Sequence, residues 1–266
     1  MEAKTIPLGQ RPARVWTGGS GEAIVLLHGG WAGAEAYWST VTGELERSHQ
    51  VVAPDLPGIG VPGALLPSFG AYAAWLEALL DSLAVERATI VGNSLGATIA
   101  WRFASQYPER CCGLVMVNGY PPPAYNRGVR WIAAHTSVRR MVRAHFLRSV
   151  YGSEALATAF HDRRNAPAAI VSALDRFSPA EVDAVLDLLL AEPVCPAPRV
   201  RTLLIWGEAD RLPVLDKRGA RQMAPALSDY KLVTIPSAGH LPQVEHPVAF
   251  LRALREFLWR GGDDGA

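Results

Sequence analysis

Short continuous apolar runs, separated by stretches with helical spacing, set the rhythm of this chain. Residues 23–27 (Ala-Ile-Val-Leu-Leu), 88–91, 114–117 and 203–206 are each unbroken and of strand length. Such runs suit strands buried on both faces, as in a parallel sheet. Residues 14–17, 51–53 and 231–235 read as further strands. Between them, residues 34–45 predict a helix. Tyr72, Leu76, Leu79, Leu80 and Leu83 predict another over 68–84, and Leu95, Ile99 and Phe103 begin a third. Residues 248–258 predict a closing helix with Pro247 at its start. Strands alternating with helices predict an α/β fold: a mostly parallel central sheet with helices on both faces.

The alternation breaks at Tyr120 and Pro121-Pro122-Pro123, and no convincing strand follows until Thr202. Val138, Met141, Val142 and Phe146 form one apolar helical stripe. Ser178-Pro179-Ala180-Glu181 is a capping box with proline at the first helical position. The expected organisation is therefore a core in two parts, residues 1–119 and 200–266, with residues 120–199 inserted as a helical cap over the rim of the sheet.

Composition narrows the classes. At 266 residues and 49% hydrophobic, the chain can bury a sizeable core. A formal net charge of +1 argues against nucleic acid as a partner. Adjacent Cys111 and Cys112 with a lone Cys195 imply no disulfide framework. No long apolar segment follows the N-terminus and none is long enough to span a bilayer, so no membrane association and a cytoplasmic location are expected. His49, His135, His145, His161 and His246 show no ligand spacing, and neither metal nor cofactor is expected.

The chemistry gathers at the strand ends. His28, Asp55, Ser94 and Asn118 each lie just past one, the side of a parallel sheet where ligands bind. Gly92-Asn93-Ser94-Leu95-Gly96 is a Gly-x-Ser-x-Gly sequence between a strand and a helix, the context a nucleophile elbow needs. A serine needs a base to take its proton, and the base needs an orienting carboxylate. His240 and Asp210 each follow a predicted strand and complete the order Ser, Asp, His; Glu208 and Asp216 are rival carboxylates. His28 and Asp55 read as structural, Asp55 ordering its own turn. Glu245 reads as positioning the last helix.

With His28-Gly29-Gly30-Trp31, Asp55-Leu56-Pro57-Gly58-Ile59-Gly60, the Ser94 elbow, Gly207-Glu208-Ala209-Asp210 and Gly239-His240 in this order, nearly the whole chain resembles the α/β-hydrolase fold superfamily in its capped form. The resemblance implies Ser94 as nucleophile, His240 as base and then acid, and Asp210 as orienter. It also implies an oxyanion hole made by the backbone N–H groups of Gly30 and Leu95. Haloalkane dehalogenases and epoxide hydrolases of this fold carry aspartate at the elbow; serine here implies acyl-type chemistry.

The expected activity is a serine hydrolase acting on a carboxylic ester or thioester of a small, largely apolar substrate. Carbon–carbon bond hydrolysis, lactone opening or acyl transfer on the same residues is the enzymatic alternative, since Asn93 beside Ser94 resembles the elbow of some carbon–carbon bond hydrolases. A triad-bearing small-molecule receptor is the non-enzymatic one. Trp31, Trp38, Asn93, Trp131 and Phe146 are the expected substrate contacts. Arg127, Arg130, Arg139, Arg140, Arg143, Arg148, Arg163 and Arg164 on the cap suggest either a solvated surface or a site for an anionic substrate or an acidic carrier protein.

Overall fold

A computed structural model describes residues 1–9, 12–122, 128, 131–132, 135–191, 195–212 and 224–259. Among them, eight strands form one sheet: β1 (Glu2–Ile6), β2 (Ala13–Gly18), β3 (Ala23–Leu27), β4 (Gln50–Pro54), β5 (Ala88–Asn93), β6 (Cys111–Val117), β7 (Thr202–Gly207) and β8 (Tyr230–Ile235). Their order is β1-β2-β4-β3-β5-β6-β7-β8. β1 and β2 run antiparallel to their neighbours, and every pairing from β4 to β8 is parallel. The predicted α/β class and parallel sheet are thus present.

The helices are α1 (Ala34–Leu45), α2 (Phe69–Ser82), α3 (Leu95–Gln106), α4 (Thr136–Ser149), α5 (Ala155–Ala159), α6 (Ala168–Ala173), α7 (Pro179–Ala191), α8 (Pro242–Glu245) and α9 (Pro247–Trp259). Period-two alternation divides each central strand between two cores. Ile24, Leu26, Val91, Leu203 and Ile205 join Tyr37, Trp38, Phe250 and Leu254 of α1 and α9 on one face. Val25, Leu27, Ile90, Leu204 and Trp206 join Tyr72, Leu76, Ile99 and Phe103 of α2 and α3 on the other. Burying strands on both faces leaves only their ends for chemistry, and the crossovers put every C-terminal end of the parallel strands on the same edge.

Between β6 and β7 the described residues form α4 to α7 and no strand. The capping box predicted at Ser178 is made: Glu181 Oε2 accepts from the Ser178 N–H and hydroxyl, and Ser178 Oγ accepts from the Glu181 N–H. No described helix is long and apolar enough to cross a membrane.

One strand escaped the pattern. β1 has nearly all its side chains exposed, so it carries no apolar signature; backbone pairing with β2 holds it at the sheet edge.

Candidate active site

Ser94 caps the strand-to-helix turn between β5 and α3 at φ 55°, ψ −119°, a left-handed conformation costly for a non-glycine residue. The turn is possible because its neighbours are glycines. A Cβ on Gly92 would lie 2.3 Å from the Gly96 carbonyl oxygen, and one on Gly96 2.4 Å from that of Leu27. The Ser94 N–H is spent on Val117 O, whereas that of Leu95, the first residue of α3, has no intrahelical acceptor.

Asp210, past β7, and His240, past β8, meet behind this turn. His240 Nδ1 donates to Asp210 Oδ2 at 2.8 Å, with the side chains 1% and 0% exposed. A carboxylate only accepts, so the Nδ1 proton is fixed and Nε2 is left as the basic nitrogen. Asp210 Oδ1 also accepts from the Leu212 N–H. Of the rival carboxylates, Glu208 is exposed, and Asp216 lies outside the described residues.

Ser94, His240, Gly30, Trp31, Leu95 and Phe146 line one cavity of about 270 Å³, completed by Thr98, Tyr120, Pro121, Val150, Tyr151, Val185, Leu189 and Leu212. Ser94 and His240 both line it, and the Ser94 hydroxyl and His240 Nε2 are not hydrogen-bonded to each other; such contacts often tighten only once substrate is bound. An adjoining cleft of about 790 Å³ shares Gly30, Trp31, Leu95, Tyr151 and Val185 with this chamber.

Two buried asparagines tie the histidine loop to the sheet. Asn93 Nδ2 donates to Val117 O and His240 O, each at 3.0 Å. Asn118 Nδ2 donates to Gly239 O, while its Oδ1 accepts from the Gly207 N–H, both at 2.8 Å. Asn118 therefore joins the two loops that carry His240 and Asp210. From the helical insertion, Ala159 O accepts from the His240 N–H and Thr158 O from that of Arg211.

Several expected substrate contacts lie elsewhere. Trp38 is fully buried in the core against Phe250, because it shares the inward stripe of α1 with Ala34, Val41 and Leu45. Asn93 holds backbone rather than lining the chamber. Trp131 is 73% exposed and is not among the lining residues. Trp31 and Phe146 do line it. Thr98, Tyr120, Tyr151 and Leu212 were missed. Of these, Thr98 was legible, since it stands one helical turn beyond Ser94.

His28 is structural, in a specific way. Its Nε2 accepts from the Leu56 N–H and its Nδ1–H donates to Gly29 O, which requires the neutral ring. Burial holds its pKa below the ordinary 6.5, against smaller opposing effects of Gly29 and Asp55. A depressed pKa contributes stability that is complete above about pH 6.5 and is lost as pH falls towards the folded value. The unfolding temperature should therefore drop between about pH 7 and 5, and His28→Gln, which keeps an acceptor for Leu56, should flatten that drop in thermal melts. An identical slope in both proteins would refute this role.

Two other expectations change. Asp55 does not order its own turn: Oδ1 accepts from the Ala34 N–H and caps α1, whose N-cap residue, Gly33, has no side chain. Glu245 acts on the histidine loop, accepting from the Gly239 N–H through Oε2 and the Asp162 N–H through Oε1. Of the arginines, Arg139 and Arg143 bridge α4 to Asp183 and Asp187 of α7, Arg148 pairs with Glu154, and Arg164 pairs with Asp162. Arg140 and Arg163 have no ion pair among the described residues; Arg127 and Arg130 lie outside them. No group of three or more described His, Cys, Asp or Glu side chains could hold a metal ion.

A parallel sheet with a serine elbow, a buried Asp–His pair and an apolar chamber under helices defines a hydrolase-type fold. The chain belongs to the alpha/beta hydrolase family, whose model matches residues 24–253. It is 27% identical over 262 residues, 91% of this chain and 90% of that protein, to 2-hydroxy-6-oxo-6-phenylhexa-2,4-dienoate hydrolase of Burkholderia cepacia. It is also 27% identical over 251 residues, 90% of this chain and 88% of that protein, to 2-hydroxymuconate semialdehyde hydrolase of a Pseudomonas strain. Among solved structures, a thermophilic esterase from Thermogutta terrifontis shares the fold at a TM-score of 0.77 with 24% identity, covering 98% of this chain and 99% of that one.

Proposed function

We propose that this protein hydrolyses neutral carboxylic esters or thioesters with a small, largely apolar body, through an acyl-enzyme at Ser94. The observation that carries the reading is the buried Asp210–His240 hydrogen bond, with His240 facing the same apolar chamber as the Ser94 turn. Ser94 Oγ attacks the carbonyl carbon and its proton passes to His240 Nε2. The negative oxygen is held by the Gly30 and Leu95 N–H groups, and collapse expels the alcohol or thiol, which takes the proton back from His240. Water, activated by His240, then releases the carboxylic acid and restores Ser94. Asp210 keeps the imidazole oriented and stabilises it while it is charged.

A second reading, carbon–carbon bond hydrolysis on the same residues, is favoured by the relatives, whose names include dienoate hydrolases. A dienoate carries a carboxylate. No described Lys or Arg lines the inner chamber, Arg176 lying only on the adjoining cleft, and the inner lining favours a neutral substrate.

A fluorophosphonate probe should label Ser94, located by mass spectrometry of the digested protein. Turnover of p-nitrophenyl butyrate should exceed that of a 2-hydroxy-6-oxo-dienoate by about tenfold or more, the scale of one buried charge left without a partner. Faster cleavage of the dienoate would install the second reading. An unlabelled Ser94 with no turnover of either compound would leave the receptor.

A further inference from the structure

Tyr151 follows α4 and is 5% exposed, with its ring 4.4 Å from that of Phe177. A buried tyrosine hydroxyl normally finds a hydrogen-bond partner, and the neighbouring Tyr37 hydroxyl does, accepting from the Trp31 N–H. That of Tyr151 has no hydrogen-bond partner among the described residues, and Tyr151 lines the chamber. It also stands beside the expected oxyanion site, since a Cβ built on Gly30 would meet Tyr151 Oη at 3.2 Å. The residues common to chamber and cleft include Gly30, Leu95 and Tyr151, so Tyr151 borders the junction that carries the two expected backbone donors.

We infer that Tyr151 is a catalytic residue, its hydroxyl donating a third hydrogen bond to the carbonyl oxygen of the substrate as that oxygen becomes an oxyanion. The inference rests on the proposed serine chemistry and adds a residue of the helical insertion to it. The hydroxyl keeps its proton throughout, because burial raises its pKa above the ordinary tyrosine range. Its position is fixed independently of substrate. Tyr151 N–H donates to Phe146 O, Tyr151 O accepts from the Asp175 N–H, and Trp31 Nε1 donates to the adjacent Val150 O at 2.7 Å. The loop carrying Gly30 and the segment carrying Tyr151 thus form one body, and the donor set is complete only while they are joined.

Tyr151→Phe deletes the hydroxyl and keeps the ring on Phe177, so the fold should survive, as thermal melting will report. With p-nitrophenyl butyrate, kcat should fall on the order of 10²-fold with KM nearly unchanged, the mark of a donor used in the transition state. Affinity for a boronic acid that adds to Ser94 should fall in parallel, while that for the non-reacting product butyrate should not. A raised KM with unchanged kcat, or no change in either, would overturn the inference with the serine mechanism intact. A native protein that neither turns over the ester nor binds the boronate would overturn both. If Tyr151→Phe melts early, Tyr151→Trp, which keeps an aromatic ring but moves the donor, must show the same loss of kcat for the inference to stand.

Discussion

Ser94→Ala is expected to lower ester turnover by roughly 10⁵- to 10⁶-fold, the cost of removing a nucleophile whose partners can act only through it. Thr98, Tyr120 and Tyr151 also bring hydroxyls to the chamber, but none can substitute. Only residue 94 sits on the sharp turn between β5 and α3, at the N-terminus of that helix and in the cavity that His240 also lines. The fold should persist. Alanine at φ 55° is as strained as serine, the glycines that permit the turn are untouched, and the Ser94 hydroxyl makes no hydrogen bond among the described residues whose loss would be felt. Thermal unfolding should therefore be nearly unchanged. The check is initial-rate hydrolysis of p-nitrophenyl butyrate together with loss of fluorophosphonate labelling. A residual rate above about one thousandth of the native one would mean another group attacks the carbonyl.

What the sequence made legible follows from how each feature is built. The central strands were legible because burial on both faces leaves an unbroken apolar run, and the elbow because three tightly packed elements demand glycine at 92 and 96. Asp210 and His240 were legible because parallel topology puts strand ends on one edge. Partnerships made by backbone atoms were not. Asp55 was assigned to its own turn, yet it caps α1 across 21 positions. Glu245 was assigned to the last helix, yet it accepts from Gly239 and Asp162. In each case the partner is an N–H group that every residue possesses, so no residue type advertises it.

The aromatics divide on a different principle. Trp38, expected at the substrate, belongs instead to a readable stripe: Ala34, Trp38, Val41 and Leu45 fall on one face of α1, and that face packs into the core. Tyr151 lies just beyond the end of α4, where no period constrains direction. Its neighbour in space, Gly30, is more than a hundred residues earlier. Only the docking of the helical insertion onto the Gly30–Trp31 loop turns it towards the chamber. Arg139 and Arg143 read as surface charge until α7 brings Asp183 and Asp187 beside them, and a chain without those pairings in view cannot separate a docking surface from a brace between two helices.

Asp210→Asn should cost about 10⁴-fold in kcat, with little loss of stability. The carboxylate has two obligations, one to a side chain and one to the backbone: Oδ2 accepts from His240 Nδ1–H and Oδ1 from the Leu212 N–H. An asparagine has one acceptor and one donor to fill two acceptor sites. If its oxygen faces His240, its amino group confronts the Leu212 N–H. If its oxygen serves Leu212, its amino group faces Nδ1, which must then give up its proton to Nε2, and the imidazole can no longer receive the proton of Ser94. The variant also lacks the negative charge that stabilises the imidazolium of the transition state. Stability is governed separately. The Asp210 side chain is fully buried, so replacing its carboxylate by a neutral amide recovers desolvation energy that offsets the strained hydrogen bonds. The melting temperature should stay within a few degrees while turnover collapses, and ¹⁵N chemical shifts of His240 should show the proton moved from Nδ1 to Nε2. Activity within tenfold of native, or an unchanged tautomer, would mean that Asp210 does not set the state of the base.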